Sequence, residues 1–377
     1  MTTVLPIETF RPFTGSLSDC VYASTFDYDS NVEVQMVRSM DNAVHLIGSG
    51  QDIIYTKHRV FEDREEWDIA VWDGHGSDGT GINPVTGKYE KFNITVSVLQ
   101  ELITNGEMEQ ILQKDIYDEE DPALTIQHLL ADRCLKYDRT IKSGATMSLV
   151  QIRRNFTDRK ITVHTLAVGD SPITIYCNRD KVFETTPHDS NNADEIERLC
   201  KRNRSVHLSD ASSFEILDES RGFICSSPSK YIVVNGIELA MTQSIGHFDY
   251  GNAYTAFRKE VLQRDGVYGI APEKRTFIFD DTDEINIKAY SDGVGDVLNE
   301  AFQLDTNIKK TENATQTANF ALGRWRQKWN VVDKEDYLGA LATGDLCVIA
   351  NISAKPFYFG RGVDDICCVS WMQSSQF

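Results

Sequence analysis

The chain has 377 residues, 41% of them hydrophobic and 25% charged, the balance of a folded protein able to bury a large core. Its 57 acidic residues outnumber 38 basic ones and leave a formal net charge of −19. That argues against a nucleic-acid partner, whose phosphates need clustered Lys and Arg. No apolar run approaches the roughly 20 residues that cross a bilayer, and Met1 to Pro6 shows no basic segment leading into an apolar one. The expectation is an intracellular protein, cytoplasmic or nuclear, with no membrane partner. The eight cysteines form no C-x-x-C pair, as expected of reduced thiols.

In chain order, short runs rich in Val, Ile, Tyr and Trp predict strands at 32–37 and 69–72. Apolar residues three and four apart then predict helices at 94–103 and 123–135. Strands follow at 146–152, 161–168 and 172–177, with Gly169-Asp170-Ser171 read as a hairpin turn between the last two. A helix at 194–201 sits in a charged, Ser- and Gly-containing stretch, 191–230, otherwise read as a loop. Strands at 231–234 and 285–290, a helix at 313–329, and strands at 346–350 and 366–372 complete the pattern. Strands joined by tight turns, with helices in blocks, favour antiparallel sheets flanked by helices.

Three segments carry the chemistry. Ile69-Ala70-Val71-Trp72 delivers Asp73-Gly74-His75-Gly76; Ala289-Tyr290 delivers Ser291-Asp292-Gly293; and Asp364-Asp365 precedes Ile366. A carboxylate at a strand end projects from the sheet, and a following glycine lets a carbonyl approach a ligand. The imidazole of His75 adds a group that moves protons. Oxygen donors of this kind select Mg²⁺ or Mn²⁺ over zinc. No H-E-x-x-H, paired-Cys or G-x-x-x-x-G-K-[ST] spacing offers another chemistry.

With these segments in order, the sequence resembles the type 2C metal-dependent serine/threonine protein phosphatases from about residue 38 to residue 372. Val71 to Gly76 is similar to V-[FY]-D-G-H-G, Ser143 to Thr146 to S-G-[ST]-T, and Val168 to Ser171 to the G-D-S-R turn. Thr186 to Asp189 with Glu195 to Leu199 resembles T-x-D-H and E-x-x-R-I; Leu239 to Gly246 resembles L-x-[VL]-[ST]-R-[AS]-[IL]-G. Ser291 to Gly293 and Asp364 to Ile366 are similar to the closing S-D-G and D-N-[IV] motifs.

The resemblance implies an αββα sandwich of two antiparallel sheets flanked by helices, as one domain over 1–377 with insertions near 203–230 and 305–345. It implies hydrolysis of phosphoserine and phosphothreonine in a protein substrate by a monomer holding two, or with a weaker site three, Mg²⁺ or Mn²⁺ ions. Asp73 and the Gly74 carbonyl would bind the ions, Asp292 and Asp364 would complete the shell, and Asp170 with Asp292 would match the weaker site. His75 would protonate the leaving oxygen. The family's R-x-x-x-[ED]-D aligns in two ways: on Met40, giving Asp41 as the metal-side acid with Arg38 one residue out of register as the phosphate grip, or on Arg38, giving Asn42 and Ala43. The first keeps a carboxylate and is preferred. Elsewhere Pro172 and Gln243 replace arginines, His247 replaces the Asp after Gly246, and Gly295 stands where Trp often precedes Asp296. These departures motivate an alternative, a catalytically silent regulatory binding module of the same fold.

Overall fold

The structure is a computed structural model that describes residues 20–27, 31–41, 46–47, 51–137, 141–189, 192–202, 206–208, 232–234, 237–239, 241–248, 269–298, 313–326, 330–332, 347–349 and 365–373. Two antiparallel sheets form its centre. One has five strands in the order Glu273–Asp280, Lys160–Val168, Met147–Asn155, Arg64–Trp72 and Ile53–Val60. The other runs Cys20–Asp27, Val32–Asp41, Ile366–Gln373, Ile285–Tyr290, Ile173–Cys177 and Asp180–Glu184, with Leu46–Ile47 beside the second of these as its seventh strand.

Side chains alternate between the faces of a strand, and here both faces are apolar. From Arg64–Trp72, Trp67, Ile69 and Val71 point between the sheets, where they meet Val34, Met36, Ile287, Cys367, Val369 and Trp371. Ala70 and Trp72 point the other way, into a layer formed with Leu99 and Leu102 of helix Ile94–Thr104, Leu112 of helix Glu107–Leu112, and Leu130 of helix Pro122–Tyr137. The seven-stranded sheet repeats the plan. Cys367 faces inward, while Cys368 and Tyr290 pack outward against Val294 and the Ala314, Ala318, Ala321 stripe of helix Ala314–Arg326. The layers are helix, sheet, sheet, helix, as expected from the sequence.

Two local readings change. Lys160–Val168 and Ile173–Cys177 do not form a hairpin: they belong to different sheets, and Gly169-Asp170-Ser171 is the crossing between them. Turn chemistry is local, so it favours a reversal without choosing the strand's partner. Ile173–Cys177 takes its hairpin partner from Asp180–Glu184 instead. The stretch read as a loop after 191 carries strand Val206–Leu208 beyond its helix Ala193–Arg202; much of 203–230 and of 305–345 lies outside the described residues. Among the described residues, no helix is long and apolar enough to cross a membrane.

Candidate active site

The strand ends of both sheets converge at Asp73. Its backbone N–H donates to Thr146 Oγ1 at 3.1 Å, its carbonyl accepts from Thr146 N–H at 2.8 Å, and its Oδ2 accepts from Asp292 N–H at 3.0 Å. Asp73 therefore ties the five-stranded sheet to the start of helix Asp292–Leu298. Ser291 holds that helix to the seven-stranded sheet: its Oγ accepts from Cys367 N–H at 3.0 Å, and its N–H donates to the Cys367 carbonyl at 3.1 Å. Thr146 Oγ1 lies 2.7 Å from Ser171 Oγ, which brings in the crossing that bears Asp170.

Asp170 and Asp365 both act electrostatically on Asp292. Burial first, and then the Asp170 carboxylate, push Asp292 up to about 6, with Asp365 adding to the rise. Burial and then Asp189 push Asp170 to about 6. Asp170 Oδ1 is buried without a hydrogen-bond partner among the described residues. Buried acids that repel one another, one of them with an oxygen left without a donor, have the chemistry of a site for a hard cation, supplied entirely by oxygen. Among the described residues no group of three or more His, Cys, Asp and Glu closes around one point. Asp364 lies outside those residues, next to Asp365, whose Oδ2 accepts from Gln51 N–H at 3.1 Å.

Gly74 is required by packing. A methyl there would meet the Val96 side chain and lie 2.7 Å from the Gln51 carbonyl oxygen. His75 follows in a small three-stranded sheet, in which Gly74 and His75 pair with Ala145 and Gly144, and these pair in turn with Ile245 and Gly246. Asp78 anchors the frame. It accepts from Ile94 N–H at 2.8 Å at the start of helix Ile94–Thr104, from Lys142 N–H at 2.7 Å, and from the Ser143 hydroxyl. Burial lowers His75 to about 4, so its ring is neutral at pH 7.

Sequence reading passed over Asp52. It is 2% exposed and directly precedes Ile53, whose strand partner Trp72 directly precedes Asp73. The Cys367 thiol is pushed up by burial and then by Asp52 and Asp73, which places both carboxylates beside it. The signal was countable: the reversal that pairs Val60 with Glu65 also pairs Ile53 with Trp72, the neighbours of the two acids. Arg38 follows Val37, the partner of Ile366, and so lies at the Asp365 end of its strand; Asp41 ends that strand, paired with Leu46. Asn42 lies outside the described residues. Gln243, standing for an arginine, is a framework residue. It donates to Glu195 Oε1 at 2.8 Å and exchanges two bonds with the Ala271 backbone, while Arg198 also clamps Glu195.

The family model described as Protein phosphatase 2C matches residues 56–334. The chain belongs to that family. No curated protein matches it. Solved structures it is similar to include a C. elegans sex determining protein, at 15% identity and a TM-score of 0.41 over 85% of this chain and 64% of that one. This chain thus spans a little under two thirds of that protein. Others are the Mycobacterium tuberculosis serine/threonine phosphatase PstP/Ppp, at 11% identity and a TM-score of 0.40 over 92% and 98% of the two chains, and a phosphatase from Toxoplasma gondii, at 14% and 0.42 over 81% and 82%.

Proposed function

We propose that this chain is a monomeric, Mg²⁺- or Mn²⁺-dependent phosphatase of phosphoserine and phosphothreonine in proteins, with one domain over 1–377 and insertions near 203–230 and 305–345. The observation that supports it is the junction of Asp73 with Asp292, two strand-end carboxylates brought from opposite sheets within a member of the protein phosphatase 2C family.

Asp73, the Gly74 carbonyl, Asp292 and Asp364 would hold two cations, Asp170 with Asp292 a weaker third, and Asp52 or Asp41 the upstream carboxylate. Bound there, the cations supply an activated water and offset charge on the phosphoryl group. Arg38 would grip phosphate oxygens through its planar fork. His75 would hand a proton to the departing oxygen, a poor leaving group when bare. Wild-type protein with Mn²⁺ should hydrolyse an aryl phosphate and a phosphopeptide, and Asp292→Asn should cut that rate by about a hundredfold or more. Equal inactivity of both across Mn²⁺ concentrations would remove the enzyme reading.

A second reading, a silent binding module, draws on the weakened first acidic pair, Asp41-Asn42, and on Pro172 and Gln243 standing for arginines. Calorimetric titration with Mn²⁺ separates the two: the enzyme takes up at least two ions, and a pure scaffold takes up none.

A further inference from the structure

Between His75 and helix Ile94–Thr104 the chain forms a β-ribbon outside the two central sheets, with Gly79–Ile82 paired to Tyr89–Phe92. Alternation gives it two unlike faces. On one, Phe92 packs against the helix layer, and Glu90 accepts from Asn83 Nδ2 at 2.6 Å and Thr86 Oγ1 at 3.0 Å. Asn83 is 1% exposed and also donates to Ser97 Oγ of the helix at 2.9 Å. On the other face stand Thr80, Ile82, Tyr89 and Lys91, all exposed. Ile82 is 70% exposed and Tyr89 64%, and the two pair directly across the strands.

The solvent face of an antiparallel pair is ordinarily polar, and a lone exposed apolar residue needs no explanation. Here two large apolar side chains share that face, and strand pairing sets their Cβ atoms about 5 Å apart. The ribbon is held at both ends. At its turn, Asn83 N–H donates to the Lys88 carbonyl at 2.7 Å and Gly87 N–H to the Asn83 carbonyl at 2.8 Å. At its root, Asp78 N–H donates to the Phe92 carbonyl at 3.0 Å, and Asn93 Nδ2 donates to the His75 carbonyl at 3.1 Å. Lys88 and Lys91 are exposed and form no ion pair among the described residues, while Glu90 is turned to the helix side. The exposed face is therefore cationic in a chain of net charge −19. Charges more than about 8 Å away are screened at physiological salt, so the ribbon's own lysines decide what approaches it.

We propose that this ribbon docks an extended, acidic peptide segment bearing apolar side chains, beside the loop that carries His75. Ile82 and Tyr89 receive an apolar side chain of the segment, and Lys88 and Lys91 pair with the carboxylates that flank it. Among the described residues no third strand joins the ribbon, which leaves its edges open to an extended chain. A surface already fixed by its own hydrogen bonds loses little freedom when it binds. That the docked segment belongs to the phosphoprotein substrate rests on the phosphatase reading; the docking does not.

The test is fluorescence anisotropy of the full-length protein with short labelled peptides of alternating Glu and Val, Lys and Val, or Glu and Ser. The Glu/Val peptide should bind tightest of the three. Ile82→Ser combined with Tyr89→Ser should weaken that binding about tenfold. Lys88→Glu combined with Lys91→Glu should weaken it about as much and turn the preference to the Lys/Val peptide. If the serine pair shifts the urea midpoint, the lysine pair decides. With a phosphoserine added to the Glu/Val peptide, both variants should raise KM by a similar factor while kcat and aryl-phosphate hydrolysis stay unchanged. No preference among the peptides, or equal binding by wild type and both variants, overturns the proposal. Ribbon-dependent binding by a protein inactive with every phosphoester would instead sink the phosphatase reading alone.

Discussion

Asp73-Gly74 and Asp292-Gly293 carry the same sequence signature and have different settings. Asp73 leaves its strand for another extended pair, held on its backbone by Thr146 and crowded at Gly74 by Val96 and Gln51. Asp292 begins a helix, its amide satisfied by Asp73 itself and its carboxyl raised by burial and by Asp170. One turn is fixed by packing; the other is placed by the first and left electrostatically loaded. Two strand-end carboxylates that meet from opposite sheets are thus one rigid and one dependent member.

That comparison can be broken most severely at Asp73. Asp73→Ala removes both a proposed ligand and the acceptor for Asp292 N–H, so phosphatase activity should fall by about a hundredfold or more, and the variant should also unfold more easily in urea. Loss of activity without loss of stability would mean that Asp292 is placed independently. Trp67→Ala, which deletes the ring in edge contact with Trp371 across the sheets at 5.3 Å, should cost about 3–5 kcal/mol in denaturant unfolding.

Gly74→Ala sharpens the packing half of the comparison. Overpacking against Val96 and the Gln51 carbonyl should cost about 1–3 kcal/mol, read as a shift in urea midpoint with the slope unchanged. Thr146→Val, which strips the hydroxyl between Asp73 N–H and Ser171, should cost about 1–2 kcal/mol in the same assay.

The electrostatic half predicts a pH dependence. Asp170 and Asp292 are each raised to about 6 when folded, so the fold binds their protons more tightly than the unfolded chain does. Their contribution to stability is full below about 4, the unfolded carboxyl value, and is lost as pH rises through about 6. A cation must displace those protons, so its affinity should climb over the same window. The thermal midpoint in EDTA, wild type minus Asp170→Asn, should fall between about pH 4 and pH 6, and the increment from Mn²⁺ should grow. A flat increment would mean that these acids do not face the ion.

Much of the plan was legible because strand and helix periods differ. The run 366–372 announces a strand buried on both faces, and its opposed Cys367 and Cys368 are what a two-sheet sandwich with outer helices demands. Asp73 and Asp292 stood out because each ends an apolar run at an Asp-Gly pair. The Gly169-Asp170-Ser171 turn misled because turn chemistry is local whereas strand pairing is not. Asp52 was missed because no motif flags an acid that matters through the strand beside it. His247 was visible only as a departure; its hydrogen-bond partner, His75, was not.

The sequence by itself determined the family, the αββα layering and the strand-end acids, because alternation, spacing and ordered motifs are properties of neighbours along the chain. Only the folded chain settled that Asp170 sits on a crossing between sheets, that Asp52 and Asp73 both act on buried Cys367, and that two imidazoles share one hydrogen bond. Each of those depends on residues far apart in sequence meeting in a closed packing, where burial and shared hydrogens give a side chain properties that its own segment does not encode.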